Sequence, residues 1–148
     1  AESNLKKDNT GKKIDLRARK FLKDVGLDYA HGTGHGVGFF LNVHEGPQSI
    51  SKYNNIKLKE GMILSNEPGF YKTGHYGIRI ENLVYIKKDK RNLRFENLTL
   101  APIEKDLINY DLLNNKEKNY LFKYNLNLYV KYSKFLNTKQ KKWLASLI

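Results

Sequence analysis

His31, His35 and His44 lie within fourteen positions of one another, interleaved with Gly32, Gly34, Gly36 and Gly38. Imidazole is the commonest metal ligand and titrates near neutral pH. Glycines let backbone and side chains crowd around a small reactive centre. Glu67 and Glu81 add two carboxylates downstream. One imidazole with two carboxylates suits Mn, Zn, Co or Fe, and Mn gains as oxygen donors increase. Carboxylates can bridge two cations, and a two-metal site can activate a water.

The spacing excludes two other readings. His31 and His35 are four apart, as on a zincin helix, but three of the residues at 32–36 are glycine. Each glycine costs a helix about 1 kcal/mol, so these histidines are not a helical pair. The phosphate-loop pattern Gly-Lys-Ser/Thr is absent. There is no cysteine, hence no thiolate site and no thiol nucleophile. His75, in Thr73-Gly74-His75-Tyr76-Gly77, reads as a loop residue outside the cluster.

The elements that must position these groups follow from periodicity. Residues 1–13 form a loose polar start. Ile14, Ala18, Phe21, Leu22 and Val25 fall on one face of a helix, which Gly26 ends. Phe39, Leu41 and Val43 alternate with polar partners in an extended segment or ordered loop that Gly46-Pro47 breaks. Residues 48–60 read as a polar connection, and Met62 to Ser65 as a short buried strand leading to Glu67. Ile78 to Ile86 is the clearest strand, with Arg79 and Glu81 on one face. Ile78, Ile80 and Leu83 around Glu81 suggest burial. Lys87 to Lys90 turns the chain into a hairpin partner at Leu93 to Leu100. Lys116 to Leu136 is helical, and Thr138 is placed to cap a last helix carrying Trp143 and Leu144.

The charge is +12 over 148 residues, with a pI of 9.7. Only five of the 27 cationic residues are arginine, the side chain that reads phosphates and bases. That balance fits solvated lysines and disfavours a nucleic-acid partner. The Tyr120, Lys123, Tyr124, Tyr129, Lys131, Tyr132, Lys134 and Trp143 series likewise reads as an amphipathic helix that buries aromatics. No apolar run is long enough to span a membrane.

Four ordered motifs carry a resemblance: His31-Gly-Thr-Gly-His35-Gly-Val-Gly, Val43-His44-Glu45-Gly46-Pro47, Asn66-Glu67-Pro68-Gly69-Phe70-Tyr71 and Gly77-Ile78-Arg79-Ile80-Glu81-Asn82. Together they resemble the C-terminal part of aminopeptidase P, the Xaa-Pro aminopeptidase of the pita-bread metallopeptidases, in its cytosolic eukaryotic form. The resemblance implies an α+β fold: the C-terminal half of a pita-bread catalytic domain over 1–103, a curved antiparallel sheet flanked by helices. A helical C-terminal extension would occupy 104–148. It implies two divalent metals, chiefly Mn2+ with Zn2+ or Co2+ as alternatives, and substrate peptides with proline second. It also implies a cytoplasmic homodimer.

Carried over by motif, His35, Glu67 and Glu81 are the metal ligands, Glu67 doubling as general acid/base and Glu81 bridging both ions. His44 steadies the tetrahedral intermediate and His31 lines the substrate site near the proline, so both count as substrate-binding and catalytic groups. Arg79 and Tyr71 orient the ligands. The family's two aspartate ligands, with Asp-x10-Asp spacing, have no counterpart here, and an upstream substrate histidine is missing too. The expectation is a C-terminal piece of a longer enzyme, inactive and weakly metal-binding by itself. The competing expectation is a non-catalytic pita-bread module that binds protein or nucleic acid; a third is an assembly element for dimerisation.

Overall fold

The computed structural model describes residues 5, 9–40 and 42–148. It divides into two compact units, Ala1–Thr99 and Leu100–Ile148. Of the loose start, residues 1–4 and 6–8 lie outside the described residues, as does Leu41 of the alternating segment. Leu5 forms an antiparallel bridge with Leu93, with both backbone bonds at 2.8 Å.

The first unit opens with α1, Gly11–Lys23. Thr10 caps it, accepting from the Lys13 N–H. Gly26 stops the chain at a φ of 75°, where a side chain would be strained. Its N–H donates to Lys23 O and that of Leu27 to Leu22 O, satisfying carbonyls the helix end leaves open. The buried face differs from the expected one. Ile14, Asp15 and Arg19 are buried, whereas Phe21 and Val25 are exposed. The buried polar pair finds its partners in the loop that follows, so hydrogen bonding rather than apolar area decides which side packs.

Seven strands follow among the described residues. β1, Gly34–His35, pairs antiparallel with β2, Ser49–Ile50. The stretch read as a polar connection thus contributes β2 and two core residues, Ile50 and Leu58. β3, Ile63–Asn66, is an edge of a three-stranded antiparallel sheet completed by β6, Asn82–Asp89, and β7, Asn92–Asn97. Leu64 stands opposite Val84 and Ile86 opposite Phe95. Leu5, Ile14, Ile50, Leu58, Leu64, Val84, Ile86 and Leu93 form one apolar cluster, the core of this unit. The β6–β7 hairpin turns at Lys90 and Arg91, so both strands run further than the expected turn allowed.

The expected strand from Ile78 to Ile86 is two strands. β5, Tyr76–Arg79, pairs with β4, Gly69–Lys72, as a separate ribbon, while β6 joins the main sheet. Ile80 and Glu81 occupy the crossing point between sheets. Ile78 and Ile80 are therefore exposed, not buried as expected, and so is Glu81.

In the second unit, α2 spans Asn115–Tyr132 and α3 spans Thr138–Ala145. Asn114 and Glu117 form a capping box at the start of α2. Asn137, not Thr138, caps α3. Its side chain accepts from the Gln140 N–H at 3.0 Å while the Gln140 side chain accepts from the Asn137 N–H at 3.0 Å. Gln at the third helical position makes Asn137 the reciprocal partner, so Thr138 becomes the first helical residue. Tyr124, Leu128, Leu144 and Leu147 are buried. Among the expected aromatic series Tyr124 is buried with its hydroxyl on Ala101 O at 2.7 Å, whereas Trp143 is exposed.

Candidate metal centre

His35 enters the site from β1. A carbonyl can only accept, so the 2.9 Å contact between Nδ1 and Gly36 O puts the proton on Nδ1. Nε2 lies 3.6 Å from Glu67 Oε1. This is how a metal-binding imidazole is oriented by its other nitrogen. The His35 backbone N–H donates to Ser65 Oγ at 2.8 Å, and the Ser65 hydroxyl donates onward to Glu67 Oε1 at 2.9 Å. One buried serine on β3 thus ties the histidine to the carboxylate.

Glu67 follows β3, where Pro68 and Gly69 redirect the chain. Its backbone N–H donates to Thr33 O at 2.8 Å, and its Oε2 lies 3.3 Å from Arg79 Nη1. Glu81 arrives from the crossing point between β5 and β6. His35, Glu67 and Glu81 each offer one ligand atom, and these atoms all lie within 4.8 Å of one another. Glu81 is the exposed member of the group.

His44 stacks on His35, with ring centroids 3.9 Å apart and planes tilted by 35°. His31 joins the site through Tyr71 and Arg79. Its Nδ1 donates to Gly32 O at 2.7 Å, so its Nε2 accepts from the Tyr71 hydroxyl at 2.9 Å. Tyr71 in turn accepts from Arg79 Nε at 2.8 Å. That hydrogen bond, with the nearby Glu67 and Glu81 charges, raises the Arg79 pKa. Every residue singled out by sequence except His75 is gathered here; His75 sits in the β4–β5 turn, its N–H on Lys72 O.

Sequence reasoning missed four residues that hold this arrangement: Asp15, Arg19, Thr33 and Ser65. Ser65 precedes Glu67 by two positions, the spacing that puts two strand residues on one side. Asp15 and Arg19 are spaced for a helical ion pair. Burial disfavours the Arg19 charge, but hydrogen bonds to Asp15 and Asp28 outweigh it and raise its pKa. The bond from Arg19 lowers the Asp28 pKa. Burial raises that of Tyr29.

The sequence profile of metallopeptidase family M24 matches residues 1–88, and that of the C-terminal region of peptidase M24 matches residues 91–147. The chain belongs to metallopeptidase family M24. This M24 chain is 49% identical over 148 residues to a probable Xaa-Pro aminopeptidase P of Coprinopsis cinerea, covering 91% of itself and 24% of that relative. It is 48% identical to the corresponding Laccaria bicolor protein, of which it covers 23%. It thus spans about a quarter of the length of the curated relatives it matches.

Solved structures agree. The X-prolyl aminopeptidase of Caenorhabditis elegans, described as a cytosolic enzyme with a di-nuclear active site, superposes with a TM-score of 0.89 at 37% identity. That match covers 99% of this chain and 26% of the nematode one. The prolidase of Pyrococcus furiosus gives a TM-score of 0.57 at 38% identity, covering 66% of this chain and 27% of its own. The α+β fold of this M24 chain is therefore part of the pita-bread fold.

Proposed function

We propose that this chain supplies one side of a two-metal active site that removes the first residue from peptides whose second residue is proline. What supports the reading most is the convergence of His35, Glu67 and Glu81 within 4.8 Å, with His31 and His44 flanking them. The donor set fits divalent metal: one imidazole whose Nε2 faces a carboxylate, and two carboxylates close enough to share cations. Its oxygen-rich character favours Mn2+ over Zn2+ or Co2+. Two such ions, when bound, polarise the scissile carbonyl and lower the pKa of water.

The protein groups divide the remaining work. His35 and Glu67 would hold one ion, and Glu81 would be shared with the second. Glu67 takes a proton at its carboxylate and returns it to the departing proline nitrogen, which has no N–H of its own. His44 donates to the oxyanion that develops on the carbonyl oxygen. His31, kept in one tautomer by Gly32 O and Tyr71, lines the pocket for the proline ring. Arg79 orients Tyr71 and Glu67.

In this reading residues 1–103 belong to the catalytic domain and 104–148 form its helical extension, in a cytoplasmic homodimer. The two aspartate ligands and a further substrate histidine come from an upstream segment, so these 148 residues alone are inactive and bind metal weakly. The test joins the chain to that segment and measures hydrolysis of an Xaa-Pro peptide with and without Mn2+. Mn2+-dependent cleavage by the joined protein and none by the chain alone is expected. Cleavage by the chain alone, or none by the joined protein at any metal concentration, refutes the reading.

A further inference from the structure

Asp15 and Arg19 are one helical turn apart on α1, and the chemistry above uses neither. Both are buried, at 0% and 5% exposure. Arg19 directs four of its five N–H groups to fixed acceptors. Nε donates to Asp15 Oδ2 at 2.8 Å. Nη1 donates to Asp28 Oδ1 and to Tyr29 O, each at 2.7 Å. Nη2 donates to His31 O at 2.5 Å. Asp15 Oδ1 accepts from the Thr33 hydroxyl at 2.6 Å. Thr33 has only that one proton to give, so the Tyr29 hydroxyl donates to Thr33 Oγ1, at 2.5 Å. The guanidinium also lies 4.0 Å above the Tyr29 ring.

These bonds lead into the candidate metal centre. Arg19 grips the carbonyls of Tyr29 and His31, on either side of Ala30. Asp15 grips Thr33, midway between His31 and His35. The Thr33 carbonyl then accepts the Glu67 N–H at 2.8 Å. A buried ion pair is weak evidence for stability, because an apolar pair of the same shape serves as well or better. An apolar pair cannot hold two carbonyls and a hydroxyl, however. The planar fork of arginine holds the two carbonyls while the Asp15 carboxylate accepts from the Thr33 hydroxyl, and a lysine ammonium in place of Arg19 cannot reproduce that fork.

We propose that Arg19, anchored by Asp15, is a positioning residue that sets the His31–His35 segment against Glu67. The proposal rests on the reading of that segment as a metal and substrate site. Loss of a group that orients metal ligands typically costs 10–100-fold in metal affinity or activity.

The test uses the joined protein carrying Arg19→Lys, Arg19→Met, or Asp15→Leu with Arg19→Met. Three quantities are read: thermal midpoint, Mn2+ affinity by calorimetric titration, and amide hydrogen exchange over residues 31–36 and at Glu67. Turnover of an Xaa-Pro peptide is a fourth. Arg19→Met is expected to lower Mn2+ affinity and kcat by about 10–100-fold and to speed exchange in that segment. Arg19→Lys keeps the charge and is expected to leave most of that loss. The double variant removes both buried charges, so its midpoint recovers toward wild type while affinity, kcat and exchange remain impaired. Recovery of all four in the double variant makes the pair purely structural and overturns the proposal. So does Arg19→Lys behaving as wild type. If Arg19→Met does not fold, the double variant carries the test. Absence of Xaa-Pro cleavage by the wild-type protein refutes the proposed function instead, and leaves Mn2+ affinity and hydrogen exchange to judge the clamp.

Discussion

Ser65→Ala is the sharpest single perturbation of the centre. Ser65 is fully buried, accepts the His35 N–H at 2.8 Å and donates to Glu67 Oε1 at 2.9 Å. The substitution is nearly isosteric, so it opens little space and its effect is on hydrogen bonding. The two lost bonds differ in consequence. Glu67 keeps Arg79 at 3.3 Å, so its carboxylate is not orphaned. The His35 N–H has no such replacement once Oγ is gone. An orphaned buried donor costs about 1–3 kcal/mol, and loss of a bond to a charged acceptor adds to it. A methyl in place of a buried hydroxyl returns only part of that, so we expect a net loss of about 2 kcal/mol. For a protein of roughly 150 residues each kcal/mol moves the midpoint by about 2–4 °C. The expected fall is therefore roughly 4–8 °C by far-UV circular dichroism. In the joined protein Mn2+ affinity is expected to drop about 10–100-fold, because the imidazole and carboxylate lose their common tether. An unchanged midpoint with unchanged Mn2+ affinity refutes the tether. A lowered midpoint with unchanged affinity refutes its role at the metal and leaves only its contribution to the fold.

Three further expectations are open to direct measurement. Gly34→Ala places a Cβ 1.9 Å from Ser65 O, a backbone atom that cannot swing aside; the variant should lose the dispersed methyl resonances of a packed core, and a wild-type NMR spectrum disproves the close approach. Arg19 lowers the Asp28 pKa, and an unfolded Asp titrates near about 3.9. Asp28 therefore contributes stability that is complete above that pH and fades as pH falls through its folded value. Asp28→Asn should flatten the acid limb of urea-derived stability between about pH 4 and 2, and an unaltered limb contradicts the pairing. Glu67→Gln in the joined protein should lower kcat by about 10²–10⁴-fold, whereas a KM effect alone removes Glu67 from proton transfer.

Much of the site was legible because its chemistry is written in residue types. Histidine with Glu67 and Glu81 could be read as a donor set before any fold was known. The strand through Glu81 was read too simply. Alternation from Ile78 to Ile86 is the same whether one strand pairs throughout or two strands pair with different sheets, and pairing partners lie far off in sequence. The break at Ile80 and Glu81 is what carries the carboxylate toward His35. Asn137 was missed as a cap because Thr138 and Asn137 are both good capping residues, and only the reciprocal bond with Gln140 distinguishes them.

By itself the sequence determined which atoms could bind metal, that His31 and His35 are not a helical pair, and that α1 cannot run past Gly26. Those follow from side-chain chemistry and from the backbone range of glycine, which are local properties. Only the tertiary structure decided that α1 buries Asp15 and Arg19 while leaving Phe21 and Val25 exposed. Periodicity assumes that apolar area chooses the buried face. Here the carbonyls of Tyr29 and His31 and the hydroxyl of Thr33 choose it, and groups that far along the chain become neighbours only when it folds.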